Sequence, residues 1–287
     1  MSIASIMALI DGDEGSAAVV EAAFFFARQH AAYLEVLHIQ PDPRDGIPLI
    51  ADGMTGAMVT QVMKEIRERG EAQAEEARRL FDESCRNADL PANRAEDHAP
   101  GRGRAAWRRV QGRPEVELAQ RGLLFDLLVL PQPRPEKDGL TVSGLETALF
   151  DVGGPVLVVP GSFTGAIGHN VLVTWNGRRE SARAITAALP VLRRAKQVTV
   201  VSIEESARTA DPAEAAARLE LHHIEAEAQR IAGERPAGEV LLQEARKRQA
   251  DLIVMGAYGH SRLRQFVVGG VTRRLLAETP VPLLMAH

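Results

Sequence analysis

The chain has 287 residues, 45% hydrophobic and 25% charged, with 24 glycines and 16 prolines scattered along it; this excludes collagenous and disordered classes and leaves room for one large domain or two small ones. A formal net charge of −4 lacks the basic excess that binding to a phosphate backbone requires, so nucleic acid is not an expected partner. The single cysteine, Cys85, excludes an intramolecular disulfide framework and any Cys-x-x-Cys motif.

The first ten residues are apolar, but they carry no basic flank and run straight into Asp11-Gly12-Asp13-Glu14, so they read as a strand rather than a secretion signal. No uncharged apolar run approaches the roughly 18 residues that span a bilayer. A cytoplasmic protein with no membrane contact is therefore expected. Strands are predicted near 3–10, 33–39, 105–110, 126–130 and 155–159, with helices near 15–30, 56–87, 113–122 and 142–151. The stretch Lys64 to Arg79 combines high helix propensity with charge pairs at helical spacing, the mark of a solvated helix face. After a turn-rich linker at 161–169, further strands are predicted near 171–175, 197–203, 252–255 and 281–285. A helix near 211–232 is read as running through Gly233 to Gly238 into another near 239–248, leaving no third strand. Short apolar runs alternating with amphipathic stretches are the pattern of a parallel sheet with crossover helices.

Internal repetition answers the question of domain number. Asp126-Leu-Leu-Val-Leu-Pro131 matches Asp251-Leu-Ile-Val-Met-Gly256 at an offset of 125, and Pro155 to Val159 matches Pro280 to Leu284 at the same offset. Ile6 to Gly12 matches Val171 to Gly177 at an offset of 165, so the second half is about 40 residues shorter between its first strand and Asp251. The reading is two doubly wound, Rossmann-like α/β domains in tandem, 1–160 and 170–287, the second with a shortened sheet edge.

The segment that carries chemistry is Met255 to Thr272, which leaves a buried strand and re-enters a helix. Its glycines at 256, 259, 269 and 270 allow close backbone approach, and the free N–H groups at the following helix start favour an anion such as a phosphate. The place is the carboxyl end of a parallel strand beside the first strand, where doubly wound sheets bind ligands.

Here the sequence resembles the universal stress protein family, specifically its tandem bacterial members, over essentially the whole chain. That family's nucleotide motif is Gly, two residues, Gly, nine residues, Gly, then Ser or Thr; Gly256, Gly259 and Gly269 match, and Gly270 stands where the hydroxyl is expected. The resemblance implies an adenine nucleotide alpha-hydrolase-like fold and an adenine nucleotide, ATP, ADP or AMP, with or without Mg. It places Asn176 and Ile203 on the adenosine side, Met255 against adenine, and Val271 and Thr272 at the phosphate-facing helix start. Losing the hydroxyl at 270 forfeits one donor, worth on the order of 1 kcal/mol. At the 125 offset the first half has Pro131 and Arg134 in place of two motif glycines, so residues 1–160 are expected to lack a family-type nucleotide site although Asp11 is retained. The resemblance also implies pairing of the two halves through Pro155–Val159 and Val281–Met285, with homodimerisation and an unidentified protein partner as further associations.

Blander readings stand beside several of these residues. His260 and Arg262, Arg264, Arg273 and Arg274 are candidates for phosphate contact and equally ordinary solvated side chains. His222 and His223, adjacent on a predicted helix, diverge by about 100° and do not form a metal pair. Gly101 to Ala106 mimics a dinucleotide fingerprint but precedes a strand instead of following one. Cys85 is read as a spectator, and Asp126 and Asp251, repeated in both halves, as structural. The expected function is nucleotide-dependent regulation under stress, without catalysis beyond slow ATP hydrolysis. The alternatives are an interaction scaffold that binds no nucleotide and a weak ATP hydrolase.

Overall fold

A computed structural model describes residues 2–42, 55–88, 90–94, 103–133, 140–204, 210–233, 235–257 and 270–287. The first half contains β1 (Ser5–Ile10), α1 (Ser16–His30), β2 (Tyr33–Gln40), α2 (Gly56–Ala88), β3 (Ala92–Arg94), β4 (Arg104–Gln111), α3 (Pro114–Gly122), β5 (Leu127–Pro131), α4 (Leu140–Glu146), a π-helical turn (Thr147–Val152) and β6 (Val156–Val159). The second contains β7 (Asn170–Thr174), α5 (Arg179–Leu192), β8 (Gln197–Glu204), α6 (Pro212–Glu220), β9 (Glu227–Ala232), α7 (Ala237–Lys247), β10 (Leu252–Gly256), α8 (Gly270–Glu278) and β11 (Leu283–Ala286). The α/β fold class and most element positions agree with the sequence reading to within a few residues.

Among the described residues all strands join one 11-stranded sheet, in the order β3-β4-β2-β1-β5-β6-β11-β10-β7-β8-β9. Every neighbouring pair is parallel except β6 and β11, which run antiparallel and sew the two halves together. The Leu157–Leu284 pair lies at the centre of that seam, with Val158–Leu283 and Val156–Met285 on either side. Each of these two strands would otherwise be an unpaired edge, and both are buried on both faces, which explains their unbroken apolar sequence. Side chains of α1, α2, α5 and α6 fill the core on one face of the sheet, and those of α3, α4, the π turn, α7 and α8 fill the other. No helix among the described residues is long and apolar enough to cross a membrane.

Three sequence expectations change. First, 211–232 is not one helix. Asp211 caps α6, its Oδ1 accepting from the Ala213 N–H at 3.1 Å, and the helix stops at Glu220. The chain then turns through His223, whose φ of +61° is left-handed, so His222 and His223 sit on a turn rather than a helix. Residues 227–232 form β9, the third strand that the sequence reading missed, parallel to β8 from Thr199–Glu227 to Glu204–Ala232. Its composition is helix-favouring and largely exposed; the unpaired edge of β8 decides its conformation, not its propensity. Arg230 adds ion pairs to Glu204 at 3.8 Å and Asp211 at 3.4 Å.

Second, the shortening of the second half falls mainly on the helix before its third strand: α2 has 33 residues and its counterpart α6 has 9. The sheet itself loses only a partner for the three-residue β3. Third, the 125-residue offset ends at the last strand. Leu128 pairs with Val156 and Ile253 with Leu283, so Val156 corresponds to Leu283 and the offset there is 127. The matching proline is Pro282, whose carbonyl accepts from the Ile253 N–H as that of Pro155 does from Leu128. A slip of two residues keeps every side chain on its face, so hydrophobic pattern alone could not reveal it.

The half-buried His30 and the buried His38 are expected to make this fold acid-sensitive. Burial, helped by the Arg194 guanidinium, depresses His30 from 6.5 to about 4, and its Nε2 is buried without a partner among the described residues. Burial also lowers His38, opposed in part by the hydrogen bond its Nδ1–H donates to the Ile10 carbonyl at 3.1 Å. The unfolded chain takes up a proton on His30 below pH 6.5 while the folded chain does not, so this stability is complete above 6.5 and lost as pH falls toward about 4. Urea titrations at about pH 7 and about pH 5 should show that loss, and His30→Phe should lose less over the same interval. An identical pH slope in the variant would show that His30 is not its source.

Candidate functional site

The carboxyl ends of β7, β8 and β10 meet at one end of the second half. Trp175 continues β7, its N–H donating to the Val201 carbonyl and its own carbonyl accepting from the Ser202 hydroxyl, each at 2.8 Å. Asn176 then opens a tight turn into α5: its Oδ1 accepts from the Arg178 N–H at 3.1 Å and the Ser181 hydroxyl at 2.8 Å. Gly177 holds φ +72°, a left-handed conformation that favours glycine.

The first half repeats this turn. Asp11 Oδ1 accepts from the Asp13 N–H at 2.9 Å and the Ser16 hydroxyl at 3.0 Å, and Gly12 has φ +83°. An amide oxygen therefore does at Asn176 what a carboxylate oxygen does at Asp11. The replacement of Asp by Asn leaves the turn intact and removes one negative charge from the second site.

Of the residues the sequence singles out, the structure brings Asn176, Ile203, Met255 and Gly256 to this end of the sheet, with Gly270, Val271 and Thr272 opening α8. Ile203, Met255 and Val271 share the apolar face packed by α7 and α8, Met255 buried and the other two half-buried. Thr272 is buried, while Gly270 is exposed with open space where a Cβ would stand. Gly259, His260 and Gly269, together with Arg262 and Arg264, lie outside the described residues, as do Gly101, Arg102 and Arg134.

Gly256 has a reason that the motif does not reveal. A Cβ on it would stand 2.5 Å from the Ser181 nitrogen and 2.6 Å from the Glu180 carbonyl carbon, so the absent side chain lets the first turn of α5 close onto the end of β10. Beside it, Glu180 is buried and paired with Arg179 at 2.6 Å. Burial pushes that carboxyl upward, but the Arg179 hydrogen bond and charge outweigh it and hold it below the usual range. Arg274 is drawn away from a phosphate role by Glu239 at 3.1 Å and Glu278 at 2.8 Å.

The two aspartates that open β5 and β10 act on backbone. Asp126 Oδ2 accepts from the N–H groups of Ala4 and Ser5, both at 2.9 Å, and from the Ser5 hydroxyl. Asp251 accepts from the N–H groups of Gly168 at 2.8 Å, His169 at 3.0 Å and Asn170 at 3.2 Å. Each pins the start of its half's first strand. Cys85 is buried, and burial first, then Asp82, pushes its thiol up to about 11, so it is no nucleophile near neutral pH. Among the described residues no cluster of His, Cys, Asp and Glu could hold a metal.

Comparison with known proteins agrees with this architecture. The family model described as "Universal stress protein family" matches residues 3–142 and 169–287. A universal stress protein from Archaeoglobus fulgidus superposes with a TM-score of 0.67 at 16% identity, covering 98% of this chain and 97% of that one. A putative universal stress protein from Pseudomonas aeruginosa gives 0.55 at 16% identity, over 98% and 92%. In sequence, the universal stress protein Slr1230 of Synechocystis is 40% identical over 48 residues, a match that spans 17% of this chain and 17% of that relative.

Proposed function

The chain belongs to the universal stress protein family, and from that premise we propose that its second half is a regulatory module binding an adenine nucleotide of the ATP type. In this reading residues 1–160 and 170–287 are two units joined by 161–169, and the first unit serves as scaffold. The observation that carries it is the convergence of Asn176, Ile203, Met255 and Gly256 at the carboxyl ends of three parallel strands, with α8 starting at Gly270. Ile203, with Met255 buried in the same apolar face, would pack against a base, and the segment from Gly256 through Gly259, His260 and Gly269 to Val271 and Thr272 would wrap the phosphates. Nucleotide occupancy would act through conformation or through a protein partner in the cytoplasm.

A scaffold that binds no nucleotide is the second reading. It is favoured by Asn176, whose Oδ1 is already engaged by its own turn, and by Arg274, held by Glu239 and Glu278. Equilibrium titration with ATP, ADP and AMP separates the two. Saturable binding is expected, and Gly259→Val should abolish it while leaving the circular dichroism spectrum unchanged, because a branched side chain would stand where backbone must meet phosphate. No association at millimolar nucleotide by folded protein would leave the scaffold reading.

A further inference from the structure

The first half has a cleft of its own at the equivalent end of the sheet. Leu9, Ile39 and Leu130 form its apolar wall, and Ile10, Asp11, Pro114, Pro131 and Gly144 also line it. It encloses about 60 Å³ and, counted out to its open mouth, about 470 Å³, room for one ring and a short substituent. Strand pairing makes Asp11, Ile39, Leu130 and Pro131 the counterparts of Asn176, Ile203, Met255 and Gly256. The cleft and the corresponding strand ends of the second half share a place in the fold and differ in chemistry.

Two differences set that chemistry. Pro131 has no N–H, so the end of β5 offers no amide donor to an anion. Asp11 supplies a carboxylate where the second half has a neutral amide. Both hydrogen bonds to Asp11 end on Oδ1, and Oδ2 has no partner among the described residues. The nearby Arg109 is taken by Glu71 at 2.7 Å and by Gln40. Among the described lining residues there is one carboxylate on an aliphatic wall and no basic side chain, which suits a cation with a compact apolar body better than a phosphate.

We propose that the first-half cleft binds a small organic amine, its apolar body packed on Leu9, Ile39 and Leu130 and its ammonium paired with Asp11. This site is independent of the nucleotide reading, since every residue in it belongs to the first half.

Benzylamine, benzyl alcohol and benzoate, titrated onto the full chain and followed by ligand-observed NMR, test it. Benzylamine should bind roughly fivefold more tightly than benzyl alcohol, a partly exposed ion pair's worth, with benzoate weakest. Asp11→Asn should equalise the amine and the alcohol without loss of fold, because Asn176 already builds the same turn in the second half. Gly144→Val should abolish binding of all three by filling the cleft; among the described residues a Cβ there meets Leu118 alone, at 3.9 Å. Benzoate binding as well as the amine, an amine preference that survives Asp11→Asn, unchanged binding in Gly144→Val, or no binding of benzylamine by folded protein at millimolar concentration would each overturn the proposal.

Discussion

Replacing Gly256 by alanine is expected to destabilise the protein by about 1–3 kcal/mol, the range for forcing an extra carbon into a packed site. Removing a glycine from a strand ordinarily gains about 0.5–1 kcal/mol, so the sign of the measured change decides which effect wins. The clash should win here because the neighbours of the new Cβ, at 2.5 and 2.6 Å, are backbone atoms of Ser181 and Glu180 that cannot rotate away. Gly270→Ala is the control. Its Cβ would enter open space at the first turn of α8, and alanine favours a helix, so that variant should be neutral or slightly stabilised. Chemical denaturation of both variants, with the urea dependence checked for an unchanged slope, measures the difference. A neutral Gly256→Ala would mean that α5 does not close on β10 as described, and that the glycine serves only a ligand.

The second large effect is expected at Asp251. Alanine there strips acceptors from the N–H groups of Gly168, His169 and Asn170 at once, where the chain enters β7. Hydrogen bonds to a charged group contribute about 1.5–3 kcal/mol each, but these are only partly buried and share one carboxylate, so a total loss of about 3 kcal/mol is expected. Asp251→Asn, which keeps one carbonyl acceptor, should fall between the parent and alanine. Asp126→Ala should act in the same way at Ala4 and Ser5 in the first half. If thermal unfolding of Asp251→Ala matches the parent, water serves those N–H groups equally well and the pin is not structural.

These aspartates show what repetition in a sequence can reveal. Asp126 and Asp251 recur in a half that keeps the glycine spacing and in one that has lost it, so their role had to be one that both halves share. The match of Ile6 to Gly12 with Val171 to Gly177 was legible in the same way, but the hydrogen-bonded turn that Asp11 and Asn176 each build came only from the structure. By contrast, β9 was illegible. Glu227-Ala-Gln-Arg-Ile-Ala232 has no period of two, and its helix-favouring residues lie on an edge exposed enough that either conformation suits them locally. The two prolines at 280 and 282 concealed the slip of β11, because either alignment puts the same residues on the same face.

At the site, the glycine spacing announced a loop but was silent on why Gly256 is glycine. That reason lies 75 residues away in sequence, at Ser181. The first-half cleft was likewise hidden: the sequence showed which phosphate donors were missing, and an absence of donors does not say whether a cavity survives.

By itself the sequence determined the α/β class, the duplication, and most strand and helix positions set by hydrophobic period, because all of these rest on patterns among near neighbours. Tertiary structure alone decided the antiparallel direction and register of the β6–β11 pairing that the resemblance implies, the conversion of residues 227–232 into a strand, the packing role of Gly256 and the apolar cleft of the first half. Each of those depends on a partner distant in sequence: an unpaired strand edge, an approaching helix end or a wall built from several elements. Local residue preferences carry no record of such partners until the chain has folded against them.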